Sequence, residues 1–433
     1  MRKTTSPPGP TTQPANRLSA RQPRAPRSGP PPPVQLAERV WPWLRFLLVI
    51  FSLGTGTLHA QQPDFQTTDS LISTLANQYR WAELDSVGRA QLRLGTDYPD
   101  LRRRLGQAAL AQDRPAAAIH HYGHALRENP LDTTARYGLA LAYLELNQPN
   151  AAALIGHGLP DSLRRPLHLN GFQLLSRVEV EGSVQFPDNR HRGTAGFFRV
   201  GLGTRLSPRF TFSQNLSFFG QDIELPDRFR RGASAPYPVR QTQYHALLGT
   251  QLAPRWRALL GGHYLSSDFG RVEAISNYLG YAAVAYARPY WAVQAGLYAG
   301  RLTDTTRFQT DLRLTVYPFG NLRLYGFGQA SVVRSGGRSF PHGLLGAGGY
   351  LHCGVWLEAY GGLGQVPVLA ELDGLYVYNL LDPLRARAGT SLLLLLPQRL
   401  SLRLGYGFER RRDFIRGNRY NLHSLSTALA WTW

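Results

Sequence analysis

LHSLSTALAWTW, residues 422–433, is the stretch that decides the fold. Read in steps of two, Leu425, Thr427, Leu429, Trp431 and Trp433 fall on one face, and Ser424, Ser426, Ala428, Ala430 and Thr432 on the other. One face is greasy and the other is small and polar. That suits the last strand of a soluble sheet packed on a core, or the last strand of a barrel whose outside touches lipid. The remaining strands have to choose between the two.

The same period of two recurs from about residue 176 onward. Val178, Val180, Val184 and Phe186 alternate with Arg177, Glu179, Glu181, Ser183 and Gln185. Phe308, Leu312, Leu314 and Val316 alternate with Gln309, Asp311, Arg313 and Thr315, and Leu402, Leu404, Tyr406 and Phe408 with Ser401, Arg403, Gly405, Gly407 and Glu409. A soluble sandwich tolerates this poorly, because its inward face has to be apolar. In a lipid-embedded barrel the charged face lines the lumen, with Arg177, Glu179, Glu181, Arg199, Arg205, Asp311, Arg313, Arg403 and Glu409 as its candidates. They would either line a wet passage or knit the barrel shut through ion pairs.

The connections favour the barrel. RLSPRF, QLAPRW, YARPYW, VYPFGN and LLPQRL each place a proline in a tight turn, and LHCG at 351–354 is a proline-free sixth. On the opposite side PDNRHRG, the segment 224–239, DFGRVE, TDTTR, RSGGRS, the stretch around 365–384, and ERRRDFIRGN read as longer polar loops. Tight turns on one side and long loops on the other predict an antiparallel transmembrane β-barrel of about 14 strands over 176–433. An even strand number returns both barrel ends to the turn side.

The N-terminal part has a different composition. Residues 1–38 are proline-rich and basic, which predicts a disordered or untranslated leader. Residues 39–60 carry Arg39 and Arg45, the apolar run Phe46–Leu53 and Leu58-His59-Ala60 before Gln61, the layout of an export signal. Residues 61–160 turn to alanine and leucine at helical spacing, and 161–175 read as a linker. Lysine and arginine exceed the acids by 20, but residues 1–60 alone hold eight basic residues against Glu38, so the surplus argues for no nucleic-acid partner. Cys353 is alone, which excludes an internal disulfide and a cysteine-rich metal site. No residue set calls for a cofactor or a metal. His423 and Ser424 are neighbours on a strand and point to opposite faces, so they make no catalytic pair and no enzyme is expected.

Within 101–130, Leu105, Gly106, Ala109, Ala118, Tyr122, Ala125 and Pro130 stand where a tetratricopeptide repeat places its packing residues, and a shift of 34 finds Leu139, Ala140, Tyr143 and Ala152. The segment therefore resembles tetratricopeptide repeats, with 68–99 an irregular earlier unit. The C-terminal half resembles bacterial outer-membrane barrels, which commonly end in an aromatic residue read by the barrel-assembly machinery. Leu429, Trp431 and Trp433 match that signal. The order of signal, repeats and barrel resembles the YaiO-type outer-membrane proteins and, more distantly, the exopolysaccharide export porins.

These resemblances imply a bacterial outer-membrane protein with its repeats in the periplasm, acting in transport or in envelope or exopolysaccharide assembly. The expected partners are outer-membrane lipid and lipopolysaccharide, the barrel-assembly machinery, and an unidentified periplasmic protein held by the repeats. Two other readings stay open: a barrel enzyme acting on envelope lipid, and a structural or adhesive surface protein. In the last, Arg228, Arg230, Arg231, Arg410, Arg411, Arg412, Arg416 and Arg419 would hold phosphates or acidic glycans.

Overall fold

The computed structural model describes residues 65–169, 171–224, 237–268, 274–302, 305–377 and 382–433. The leader and export-signal readings, over 1–60, lie outside the described residues. Seven helices come first: α1 (Phe65–Asn77), α2 (Trp81–Arg93), α3 (Pro99–Ala111), α4 (Pro115–Glu128), α5 (Thr133–Glu145), α6 (Pro149–Gly156) and the short α7 (Asp161–Arg164). Prolines 99, 115 and 149 stand in first turns, where a missing N–H costs nothing. Asp132 caps α5 by accepting from the Ala135 amide at 2.9 Å.

The hairpins stack because of size complementarity. Tyr122 of α4 is wedged between Gly106 of α3 and Gly138 of α5; a Cβ on Gly106 would lie 2.8 Å from its ring. Ala109, Ala118, Ala125, Ala135 and Ala140 close the rest of this buried cluster. Leu101 and Leu105 pack instead against Ile72, Leu75 and Leu84, joining α1 and α2 to the stack. The segment read as an irregular earlier unit is thus a helical hairpin in register with its neighbours. Pro130 lies just past α4 and is exposed.

His121 gives this module a pH response. It is buried in α4, and that burial, with His120 and Arg102 beside it, holds its imidazole down at about 4 against an ordinary 6.5. Above pH 6.5 the ring is neutral in both the folded and unfolded chain. As the pH falls from 6.5 toward about 4, only the unfolded chain takes up the proton. The module should therefore lose stability across that window, by an amount on the order of 3 kcal/mol, and His121→Gln should flatten the slope. Proteolysis of the helical segment at stepped pH measures it, and a wild-type profile as flat as the variant's would count against it.

Fourteen strands then form one closed antiparallel barrel. They are β1 (Gln173–Pro187), β2 (Ala195–Arg205), β3 (Phe210–Ile223), β4 (Tyr237–Ala253), β5 (Trp256–Asp268), β6 (Ile275–Arg288), β7 (Trp291–Leu302), β8 (Thr305–Val316), β9 (Leu324–Ser335), β10 (Arg338–His352), β11 (Val355–Val366), β14 (Leu384–Leu395), β15 (Leu400–Arg412) and β16 (Arg419–Thr432). The remaining pair, β12 (Ala370–Glu371) and β13 (Tyr376–Val377), form a small separate hairpin. Closure is made by β1 on β16, with Val178 opposite Trp431, Val180 opposite Leu429 and Val184 opposite Leu425. This leaves no open strand edge to face hydrocarbon.

The outside is apolar along every strand: Val180, Phe198, Leu216, Leu260, Phe308, Leu312, Leu404 and Leu425 are all exposed. On the turn side aromatic rings cluster, Trp256 with Tyr286 at 4.7 Å and Trp431 stacked on Trp433 at 4.7 Å. Such a belt suits the membrane–water interface. Leu297, at the middle of β7 and 62% exposed, is flanked by Ala282 and Thr310. Leu297→Arg should cost about 2–4 kcal/mol of folding in a bilayer, read as a lowered urea midpoint for insertion into lipid vesicles; an unmoved midpoint would turn this face inward.

Two connections differ from the sequence reading. RSGGRS was expected to be a long outer loop, but Gly336 and Gly337, at φ 55° and 75°, join β9 to β10 in a two-residue turn. TDTTR is likewise no long loop, since β7 ends at Leu302 and β8 begins at Thr305. The third departure, at 365–384, shapes the lumen.

Candidate functional site: the lumen and its inserted hairpin

The segment after β11 does not extend outward as a loop. It folds back into the barrel, where Val368, Ala370 and Val377 pack with Leu259, Leu279, Tyr281, Ala283, Tyr298 and Leu302 of the wall. Leu369 joins Val333, Val366 and Leu384 in a second buried cluster. The sequence reading of 365–384 as a polar outer connection is therefore corrected: apolar side chains that water would expose are buried inside the lumen.

Polar contacts fix the hairpin on several sides. Glu371 receives both arms of Arg387 from β14. The Gln309 side chain from β8 donates to the Ala370 carbonyl at 2.7 Å and accepts from the Ala370 amide at 3.0 Å. The Asp373 carboxylate accepts from Tyr281 at 2.6 Å and from Gln294 at 2.7 Å. His263 and His245 meet the carbonyls of Gly374 and Asp373 at 2.7 and 3.1 Å. Across the lumen, the Tyr376 hydroxyl donates to Glu181 at 2.5 Å. A segment tied to β1, β4, β5, β6, β7, β8 and β14 spans the bore.

The charged candidates divide into three groups, with Arg205 apart from them. Arg199 is buried between Glu179 and Glu181, which it bridges, and donates to Asn215 at 2.8 Å. Asp311 accepts from Gln309 and Gln329 at 3.0 and 3.1 Å. This group joins the wall to the hairpin. Glu409 accepts from Arg411 at 2.6 Å, in an outer-side cluster where Arg192 meets Asp382 at 2.8 Å and Asp413 at 3.4 Å. Arg177, Arg313 and Arg403 instead line a chamber at the turn side. Arg205 is buried at the turn-side end of β2, with its Nε and Nη1 making no hydrogen bond.

Arg411, read as one of the outward anion-binding arginines, points inward. It is 2% exposed and donates to the Asp382 carbonyl at 3.1 Å. Arg410, Arg412 and Arg419 are exposed, Arg416 reaches the Glu224 carbonyl at 3.2 Å, and Arg228, Arg230 and Arg231 lie outside the described residues. His423 bonds Tyr406 at 2.8 Å on the outer face, whereas Ser424 lies inside against Gly407. Sequence reasoning missed the neutral Gln309, Gln294, His245 and His263, and also the charged Glu371, Asp373 and Arg387. The neutral ones escape a search restricted to charged side chains, and the hairpin's own residues sit in a stretch that reads as an outer loop.

The helical module sits against the turn-side rim. The Ala116 amide donates to the Gly320 carbonyl at 3.1 Å, Asn321 donates to the Asp113 carbonyl at 3.0 Å, and Arg323 pairs with Asp113. Arg399, in the β14–β15 turn, donates to His168 at 2.6 Å. Most of these contacts come from connections, with Ala116 in the first turn of α4, so the module meets the barrel largely with the ends of its helices.

Residues 91–164 match the tetratricopeptide repeat family. No curated protein matches the chain. Among solved structures the chain is similar to a bacterial polysaccharide outer membrane secretin (10% identity, TM-score 0.37, covering 60% of this chain and 99% of that one). It is likewise similar to a Pseudomonas aeruginosa FadL homologue (10%, 0.41, 60% and 90%). A third is the Acinetobacter baumannii outer membrane protein Omp33 (8%, 0.35, 60% and 99%).

Proposed function

We propose that the chain is a non-enzymatic outer-membrane protein that holds a tetratricopeptide module at the periplasmic mouth of a plugged barrel and recruits a periplasmic partner there, in envelope export or assembly. The observation that supports this reading is the seating of the repeats on the rim largely by the ends and connections of their helices, with Asp113 meeting Asn321 and Arg323. Seating near helix ends leaves helix surface for another protein, and Leu71, Tyr79, Leu94 and Leu131 are exposed on the module. The apolar outer belt suits outer-membrane lipid and lipopolysaccharide, and the aromatic end of β16 suits recognition by the barrel-assembly machinery. A partner that handles exopolysaccharide fits the order of the parts.

The test is proximity crosslinking from photoreactive residues at Leu71 and Leu131 in intact cells. The expected result is one dominant periplasmic protein, lost when Tyr122→Ala unfolds the module while the barrel still assembles. Crosslinks to outer-membrane lipid alone would remove the docking role.

A further inference from the structure

Where the module meets the barrel, a chamber of about 930 Å³ opens at the turn-side mouth. Residues 144–151, from the end of α5 through its connection into the start of α6, form one wall, and strands from around the barrel form the rest. Besides Arg177, Arg313 and Arg403, its lining includes Arg255, Arg257 and Arg399, against only two acids, Glu145 and Glu358.

These charges outnumber the carboxylates around them, although Asp373 of the inserted hairpin lies close enough to act on Arg257. Among the described residues only Arg177 reaches a carboxylate, that of Glu179. Arg313 lies over the Phe327 ring at 5.2 Å, and Arg399 donates to a histidine. Arg257, lining the chamber from β5, has a buried Nε with no hydrogen-bond partner. Of the two acids, Glu358 is already engaged by the Tyr325 hydroxyl at 2.7 Å, and Glu145 is exposed at the end of α5. Six guanidinium groups gathered around one chamber repel one another, so the arrangement leaves a site for negative charge. Guanidinium forks match phosphate and carboxylate oxygens geometrically, and the volume is that of a small-molecule pocket.

We propose that this chamber binds a small polyvalent oxyanion, bearing two or more phosphate or carboxylate groups, held by Arg257, Arg313 and Arg403. These three come from β5, β8 and β15, on different sides of the wall, so a ligand that meets them all carries more than one anionic group. The inference rests on the barrel and the seated repeats alone, and stands whether or not a partner protein is recruited.

The experiment is calorimetric titration of the full chain in detergent with tripolyphosphate and, separately, with citrate. Saturable binding of either probe, weakening as salt rises, is expected; the probe that binds tighter names the oxyanion. Arg257→Gln with Arg313→Gln should weaken it about tenfold or more, and Arg410→Gln, on the outer side, should leave it unchanged. Heat-dependent gel mobility verifies that each variant is a closed barrel, and Arg403→Gln alone replaces the double variant if that one fails to fold. Absence of saturable binding by both probes, or binding that survives the chamber substitutions, overturns the proposal.

Discussion

Replacing Val368–Val377 with a short glycine–serine bridge is expected to turn a barrel that passes no resolvable single-channel current into one that conducts in steady steps. Fourteen strands enclose a bore between the filled lumen of eight-stranded barrels and the open channel of sixteen-stranded ones. What fills it here is the hairpin, with Val368, Ala370 and Val377 against the wall and Glu371 on Arg387. A milder variant, Glu371→Gln, removes the carboxylate that meets the buried Arg387, a change that costs about 3–5 kcal/mol when a buried pair is broken. It should loosen the hairpin without deleting it and give flickering rather than steady conductance. Planar-bilayer recording reads both. A bridged variant as silent as the wild type would mean that the hairpin is not the barrier.

Deleting Trp431–Trp433 is expected to abolish accumulation of the barrel in the membrane. Trp431 lies opposite Val178 and Thr432 opposite Arg177, and the Trp433 amide donates to the Ser176 carbonyl at 3.1 Å. Without them the turn-side end of β1 loses its partner, leaving backbone groups unsatisfied at the membrane edge. The stacked indole pair is lost from the interfacial belt as well. Membrane fractionation and heat-dependent gel mobility measure the outcome. Trp433→Phe, which keeps the aromatic ring and the amide, should assemble normally. Normal assembly of the deleted chain would show that the seam closes without these residues.

The barrel was legible because its two faces obey a strict period. Leu425, Thr427 and Leu429 are exposed while Ser424, Ser426 and Ala428 face inward, as alternation requires. The turns were legible through their prolines. The hairpin was not, because QVPVLAELDGLYV contains turn residues and an alternation too short to separate a surface loop from a folded plug. Its burial depends on Tyr298, Leu279 and Gln309, which lie dozens of residues away in the chain and meet it only once the barrel has closed. The outer connections were misjudged for a simpler reason: Gly336 and Gly337 make a complete turn by themselves, so polar residues beside them extend the strands instead of a loop.

Leu169 is 2% exposed and fills the space over Gly156, inside the helical core, and β1 begins only four residues later at Gln173. Four residues reach at most ~14 Å when fully stretched, so the repeats are leashed to the rim as tightly as if held at very high local concentration. Contacts as slight as Asp113 with Arg323 then suffice to keep the module seated, although the same surfaces on separate molecules would drift apart. A protease site cut into the leash would make the attachment bimolecular, and dilution alone would then release the repeats from an otherwise unchanged barrel.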